Sequence, residues 1–181
     1  MLDTTDHSTA FQSMMDGLGE DKAAFFLAPM PHLAAAGIPV LPTASVNGIV
    51  MPMVAATATA TAETGEQLTV EVHWYGITFT MNEKLTQDII NGTTAGGVLS
   101  GLVVSALGLA GVMTGGIATV VGGIVASVFA LKIAEMKIID NGSGLYWPIT
   151  WPQWAILLAS VPGGPTTMLA AAMVALHPLR N

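Results

Sequence analysis

The chain has 181 residues, enough for one large domain or two small ones, and only 9% of them are Asp, Glu, Lys or Arg, against about 25% in typical soluble domains. The formal net charge of -7, with five Lys and Arg residues in total, argues against a nucleic-acid partner, because phosphate recognition needs clustered cations. The sequence contains no cysteine, which excludes disulfide bonds and thiolate zinc sites.

Residues 1–62 are predicted to form an N-terminal region distinct from residues 63–181. Apolar residues recur at helical spacing over residues 4–19, which predicts an amphipathic helix. Five prolines then interrupt a charge-free stretch rich in Pro, Ala and Thr, so a long helix is excluded there. We expect short extended segments instead, at residues 25–27, 38–41 and 49–51.

The first residues of the chain lack the features of a secretory signal. Residues 1–6 contain no basic residue, and no apolar run follows them directly. We therefore expect a protein that is associated with a membrane or released without a classical signal.

Alternating apolar and polar residues over residues 67–81 predict a strand. The alternation shifts at Gly76, where we expect a bulge or a kink. Asn82 then stands where a helix cap is needed, before a predicted short helix over residues 83–90. The dipeptide Asn91-Gly92 is typical of a helix end.

The dominant feature of the sequence is a run of forty-three residues, 89–131, without Asp, Glu, Lys or Arg. It predicts a Gly/Ala-rich helical hairpin at about residues 94–136. The helices are expected near residues 94–112 and 117–136, with the turn at residues 113–116. Each would have about 18 residues, close to the length that spans a bilayer.

Small residues recur at every fourth position in this hairpin. Such ridges allow helix backbones to approach closely, which is the main source of helix association in lipid. A buried hairpin in the core of a water-soluble protein is the alternative. The residues predicted to make helix–helix contacts are Gly97, Gly101, Ser105, Gly115, Gly116, Ala118, Gly122 and Ala126.

The lysines nearest the predicted hairpin lie at its base. Lys84 precedes it, and Lys132 and Lys137 lie at its end, while the tip is uncharged. Both ends would then stay on one side of a membrane, and the tip could cross it.

The tryptophans and tyrosines fall at residues 74–75 and 146–154, and residues 144–151 are predicted to be extended. Such rings favour a membrane interface, where the ring is buried and its polar atom stays wet. An aromatic core over a small sheet is the alternative. The residues are Trp74, Tyr75, Tyr146, Trp147, Trp151 and Trp154. Two half-length apolar helices are expected after them, at residues 155–160 and 167–176.

No pattern in the sequence predicts catalysis. The four histidines fall one to each region, with no spacing that favours a metal site. No nucleophile elbow or phosphate-binding loop occurs. We therefore predict that the protein is not an enzyme and uses no cofactor.

These features together predict an α+β fold, in which a small antiparallel sheet frames the hairpin. Over residues 83–140 the design is similar to that of α-helical pore-forming toxins, which store a membrane-inserting hairpin in a soluble frame. We therefore expect a membrane-active protein whose partners are a lipid bilayer and copies of itself, as a homo-oligomer. The alternatives are a structural subunit of a self-assembling shell or filament, and an ordinary integral membrane protein.

Overall fold

The computed structural model describes residues 7–18, 20–35, 43–46, 49–52, 57–94, 96–112 and 115–181. The α+β fold class is confirmed. The helices are α1 (His7–Asp16), α2 (Glu20–Leu27), α3 (Met30–Ala35), α4 (Glu83–Ile90), α5 (Gly96–Leu109), α6 (Gly115–Leu131), α7 (Ile133–Ile139), α8 (Trp151–Ser160) and α9 (Pro165–Ala175). The strands are β1 (Thr43–Val46), β2 (Ile49–Pro52), β3 (Thr57–Thr61), β4 (Gln67–His73), β5 (Gly76–Met81), β6 (Leu145–Thr150) and β7 (Leu179–Arg180).

The larger sheet is antiparallel, with the strand order β3-β4-β5-β6-β7. Its middle strand, β5, is buried along almost its whole length. Phe79 of β5 lies opposite Trp147 of β6, and both side chains are fully buried. Helix α5 packs against β3 and β4, while α8 packs against β5 and β6. The sheet is therefore the surface on which the apolar helices assemble.

The single strand predicted over residues 67–81 is wrong, because the chain reverses direction within it. Strands β4 and β5 form a hairpin, and His73 pairs with Gly76 across the turn. No bulge forms at Gly76. Glycine is required there because β5 and β6 approach closely, and a Cβ atom would lie 2.1 Å from the carbonyl oxygen of Ile149. The Tyr75 carbonyl also accepts a hydrogen bond from the backbone N–H of Trp151, at 2.9 Å.

The predicted cap and helix at residues 82–90 are confirmed. The Asn82 side-chain oxygen accepts a hydrogen bond from the backbone N–H of Leu85 at 2.9 Å, and α4 follows directly. The same oxygen accepts the backbone N–H of Gln67 at 3.1 Å. Asn82 therefore satisfies a free N–H of the helix and also joins α4 to the start of β4.

The predicted central hairpin is present as α5 and α6, with helices shorter than expected. Helix α5 has 14 residues and α6 has 17. The chain bends by 64° between residues 118–131 and α7, so the second predicted helix is divided at Lys132. Of the predicted tip, residues 113 and 114 lie outside the described residues, and α6 begins at Gly115.

Two short helices replace part of the extended chain predicted in the N-terminal region. Residues 25–27 belong to α2 and are not extended. Pro31 is the second residue of α3, where its missing N–H breaks no helical hydrogen bond. Residues 49–51 lie in β2, and residues 38–41 lie outside the described residues. The boundary predicted after residue 62 falls between β3 and β4, which pair in one sheet.

The C-terminal region largely follows its prediction. Strand β6 covers most of the predicted extended segment, and α8 starts directly after it at Trp151, with Pro152 as its second residue. Helices α8 and α9 correspond to the two predicted half-length helices. The last strand, β7, pairs with β6 and anchors the C-terminus in the sheet.

We predict that Gly144→Ala destabilises the protein more than Gly142→Ala does. Both glycines have a left-handed backbone, with φ values of +83° and +90°, so alanine costs roughly 1–2 kcal/mol at either site. At Gly144 the added Cβ would also lie 2.1 Å from the Met81 carbonyl oxygen, whereas the space at Gly142 is open. Urea denaturation should show a larger loss for Gly144→Ala, and equal losses would contradict the close contact.

Candidate functional site

The candidate site is the pair of apolar helices α5 and α6, referred to below as the hairpin. Neither helix contains a charged residue. The two helices pack against each other, α5 also covers β3 and β4, and α6 also contacts α9. On α5, the side chains of Val103, Ala106 and Leu107 are completely buried. One side of the hairpin therefore belongs to the core of the folded protein.

The predicted small residues of α6 beyond its first turn face inward. Ala118, Gly122 and Ala126 are buried. At Gly122 an added Cβ would lie 2.5 Å from the Cγ2 atom of Val104 and 3.3 Å from the carbonyl oxygen of Ser100. Gly122 is therefore the point at which α6 approaches α5 most tightly among the hairpin glycines described. Ala118, Gly122 and Ala126 form an inner ridge, which packs inside the folded protein.

The small residues predicted on α5 face outward. Gly97, Gly101 and Ser105 are exposed. A Cβ atom added at Gly97 or Gly101 would meet no other atom within 4 Å. Gly115 and Gly116, at the start of α6, are also exposed and equally open. The predicted ridges thus separate into an inner one, which is already packed, and an outer one, which is free in this conformation.

Large apolar side chains share the outward side of the hairpin with these glycines. Val98 and Leu109 of α5 are 42% and 66% exposed, and Val120 and Leu131 of α6 are each 47% exposed. Because neither helix carries a charge, this surface has no ionic group of its own. Such a surface is typical of contacts with other proteins or with lipid.

A groove of about 410 Å³ lies at the base of the hairpin, where α5 begins and α6 ends. Its lining carries no charged group, and it includes Ile89, Thr94, Leu99, Gly123, Ala126 and Ala130. The Thr94 hydroxyl oxygen is buried and has no hydrogen-bond partner among the described residues. The groove offers contacts to alkyl groups and no charge to hold an ion.

Five of the six predicted aromatic residues are buried in the core, and Trp74 is partly exposed. The Trp151 indole N–H donates to the Trp74 carbonyl oxygen at 2.7 Å, which links α8 to the β4–β5 turn. Phe129 of α6 lies 4.7 Å from the ring centre of Trp147. In this conformation the rings form an aromatic core, which is the second of the two alternatives considered for them.

His73 adds a titratable group to the edge of this aromatic core. Its ring stacks on Tyr75 with centroids 4.9 Å apart, and its Nε2 atom lies 3.1 Å from the Thr78 hydroxyl. Burial lowers the pKa of His73 below 6.5, and the nearby carboxylates of Glu71 and Asp16 only partly oppose that effect. Burial raises the pKa of Tyr75, and the hydrogen bond with Tyr146 acts in the same direction.

A charged cluster at the end of the hairpin was not predicted from the sequence. Lys132 is only 5% exposed, and its Nζ atom lies 2.8 Å from Glu135 and 3.1 Å from His177. The second oxygen of Glu135 lies 2.8 Å from His177. Glu135 and His177 are 42 residues apart in the chain, so no local pattern could have revealed their contact.

Neither a metal site nor a single spanning helix is found in the described part of the chain. No group of three or more His, Asp or Glu side chains there could hold a metal ion. No individual helix there combines enough length with enough apolar character to cross a membrane, although residues 118–131 and α7 do so together as a bent pair.

We predict opposite tolerance to leucine on the two ridges. Gly122→Leu should lower the free energy of unfolding by about 2–3 kcal/mol, because the new side chain must displace Val104 and the α5 backbone. Gly101→Leu points into open space, and leucine favours a helix by up to about 1 kcal/mol relative to glycine. Urea denaturation of the two variants tests this, and similar stabilities would contradict the assignment of inner and outer ridges.

We also predict a loss of stability in mild acid that depends on His73. Because its folded-state pKa lies below the unfolded value of 6.5, the unfolded chain binds the proton more readily. The free energy of unfolding is therefore unaffected by His73 above about pH 6.5, and it falls as the pH drops from there toward the folded-state pKa of His73. Denaturation of wild type and His73→Gln at several pH values between about 7.5 and 5 measures the difference. An unchanged pH dependence in His73→Gln would contradict the prediction.

No protein-family model, no curated protein and no solved structure matches this chain. The function is therefore inferred from the hairpin, its exposed ridge and its charged base.

Proposed function

We propose that the protein is membrane-active, and that the hairpin leaves the sheet, inserts into a lipid bilayer and associates with copies of itself along the α5 ridge. The observation that carries this proposal is the open space around the glycines of the outer face. Gly97 and Gly101 lie within α5 with no atom near the position of a Cβ. The folded molecule gains no close contact from them.

Glycine inside a helix is costly unless a close approach requires it. Each such glycine weakens a helix by about 1 kcal/mol relative to alanine. At Gly122 the contact with Val104 explains the glycine, whereas at Gly97, Gly101, Gly116 and Gly123 the folded protein offers no such reason. A second state in which another helix packs on these positions would explain all of them.

Lipid is the environment in which such a ridge is most useful. Between helices in a bilayer the hydrophobic driving force is small, so association depends on close backbone contact over Gly, Ala and Ser. The exposed Val98, Leu109, Val120 and Leu131 would face hydrocarbon in that state. The transfer of apolar surface out of water is favourable by about 25 cal/mol per Å².

The charge distribution supports entry of the hairpin by its tip. The described residues between α5 and α6, 110–112, are uncharged, and so are both helices. The lysines stay at the base, where Lys84 pairs with Asp88 at 2.5 Å and Lys132 pairs with Glu135 at 2.8 Å. Moving the tip first avoids carrying any of these charges through the hydrocarbon, where each would cost several kcal/mol.

Dye release from liposomes tests the proposal. Purified wild-type protein is expected to release an entrapped dye, and Gly101→Leu is expected to reduce release at least about tenfold, because the ridge can no longer pack closely. Gly101 is the better test site than Gly122, since leucine at Gly101 meets no atom of the folded protein. The matched control is Ala159→Leu, which places the same side chain on an exposed position of α8.

Two outcomes would contradict the proposal at different points. Wild-type protein that releases no dye from vesicles of either neutral or anionic lipid, at any pH between about 4 and 7.5, would exclude membrane activity. Equal release by wild type, Gly101→Leu and Ala159→Leu would leave membrane activity in place and exclude the outer ridge as its contact surface.

A second candidate function is a structural subunit of a self-assembling shell or filament. The same exposed, uncharged face of the hairpin favours it, because contact with copies would also remove that surface from water. Light scattering and electron microscopy without lipid should then show large regular particles, and Gly101→Leu should disperse them. A monodisperse monomer in plain buffer would exclude this function. An ordinary integral membrane protein would instead require detergent from the start of purification.

A further inference from the structure

We infer that Lys132, Glu135 and His177 form an acid-sensitive latch that holds the base of the hairpin in the folded protein, and that protonation of Glu135 opens it. What the opened hairpin does rests on the proposed function. The latch itself is a property of the folded protein in water and is tested there.

Glu135 is the bridge of the latch. One carboxylate oxygen lies 2.8 Å from the Lys132 Nζ atom, and the other lies 2.8 Å from the His177 Nδ1 atom. Lys132 is 5% exposed. If Glu135 loses its negative charge, little water can reach the Lys132 ammonium group to solvate it. A buried cation of this kind is stable only while its counter-ion and hydrogen bonds are in place.

The latch joins the hairpin to the opposite end of the chain. Lys132 lies at the 64° bend between α6 and α7, and Glu135 is on the first turn of α7. His177 lies between α9, which packs on α6, and β7, which pairs with β6 in the sheet. The three side chains therefore tie the end of α6 to the sheet through the C-terminal segment.

The elements around the latch contribute few other charges. Those of α4, which packs on α7, have partners of their own: Lys84 pairs with Asp88, and Glu83 accepts a hydrogen bond from the backbone N–H of Gly144. Helices α6 and α9 contain no titratable residue. On α7, Lys137 is exposed, and Asp140 just beyond the helix accepts a hydrogen bond from Gln87 at 2.7 Å. Arg180 of β7 donates to the carbonyl oxygen of Ile139 at 3.3 Å. In the described residues, Glu135 is thus the carboxylate that forms an ion pair with Lys132.

The direction of the acid response follows from the environment of Glu135. Burial raises its pKa, but the hydrogen bonds from Lys132 and His177 together outweigh burial, so the net pKa lies below the ordinary 4.5. A carboxyl group with a lowered folded-state pKa stabilises the protein fully above the unfolded value. That contribution is lost as the pH falls from about 4.5 through the folded-state pKa. Protonation then leaves the Lys132 ammonium buried without its counter-ion.

Amide hydrogen exchange of the full chain, without lipid, tests the latch through Glu135→Gln. This variant has the charge of the protonated form at every pH. At about pH 7 its α6 amides are expected to exchange at least about tenfold faster than those of wild type, because the buried Lys132 ammonium group loses its counter-ion. Wild type should reach the same rate, after correction for intrinsic exchange, only below about pH 4.5. Glu63→Gln, at an exposed carboxylate, is the matched control and should behave as wild type.

The double variant Lys132→Met/Glu135→Gln separates the latch from simple damage to packing. It removes the buried cation together with its counter-ion, so the slow exchange of wild type at neutral pH is expected to return. Wild-type exchange in Glu135→Gln at pH 7 would overturn the latch. So would a double variant that exchanges as fast as Glu135→Gln, because packing would then be the cause.

Dye release distinguishes failure of the latch from failure of the proposed function. With a working latch and a membrane-active hairpin, Glu135→Gln should release dye at neutral pH, where wild type releases less. Fast α6 exchange in Glu135→Gln without dye release at any pH would support the latch and contradict the proposed function. Release by wild type, with unchanged exchange and unchanged release in Glu135→Gln, would contradict the latch alone.

Discussion

The packing of α5 between α6 and the sheet is the contact on which the rest of the structure depends. Val103, Ala106 and Leu107 are fully buried there, and burial of a valine or leucine side chain contributes about 1.5–3 kcal/mol. Gly122 lets α6 come close enough to hold α5 in place. Strands β3 and β4 are covered by α5, so departure of the hairpin would expose the sheet as well as the helices. Any state without this contact must therefore offer both surfaces an equally apolar environment, either hydrocarbon or another copy of the chain.

Much of the architecture follows from local sequence patterns, and the failures have physical causes. The Asn82 cap, the two apolar helices and the alternation of Leu68, Val70 and Val72 were all predictable from spacing and residue type. The turn between β4 and β5 was not, because Trp74 and Tyr75 are not turn formers, and their position is fixed by contacts with α8. In both α5 and α6 the small residues recur every four positions. The sequence alone therefore could not reveal that the α6 ridge is buried and the α5 ridge is exposed.

The charged base of the hairpin could be located from the sequence only in part. The lysines flanking the apolar run were evident, and Glu135 is only three residues from Lys132, but the contact of both with His177 depends on tertiary structure. His177 reaches Glu135 only because β7 pairs with β6 and returns the C-terminus to the sheet. The chain bends by 64° at Lys132, where this buried lysine pairs with Glu135. The prediction of one straight second helix therefore failed at Lys132, a position that the apolar pattern on either side does not mark as a break.

The two ends of the hairpin are held by ionic groups of unequal strength, and this asymmetry bears on how the hairpin could leave the fold. Lys84, before α5, is 46% exposed and pairs with Asp88 and Glu66 within reach of water, so its contribution is small. Lys132, after α6, is buried, and loss of its partner is far more costly. Separation at the α5 end thus requires mainly that apolar contacts be replaced, whereas separation at the α6 end also requires that a buried charge be neutralised or hydrated. Under the proposed function, the α6 end is accordingly the one at which a change in charge, and not merely an apolar surface nearby, would control release.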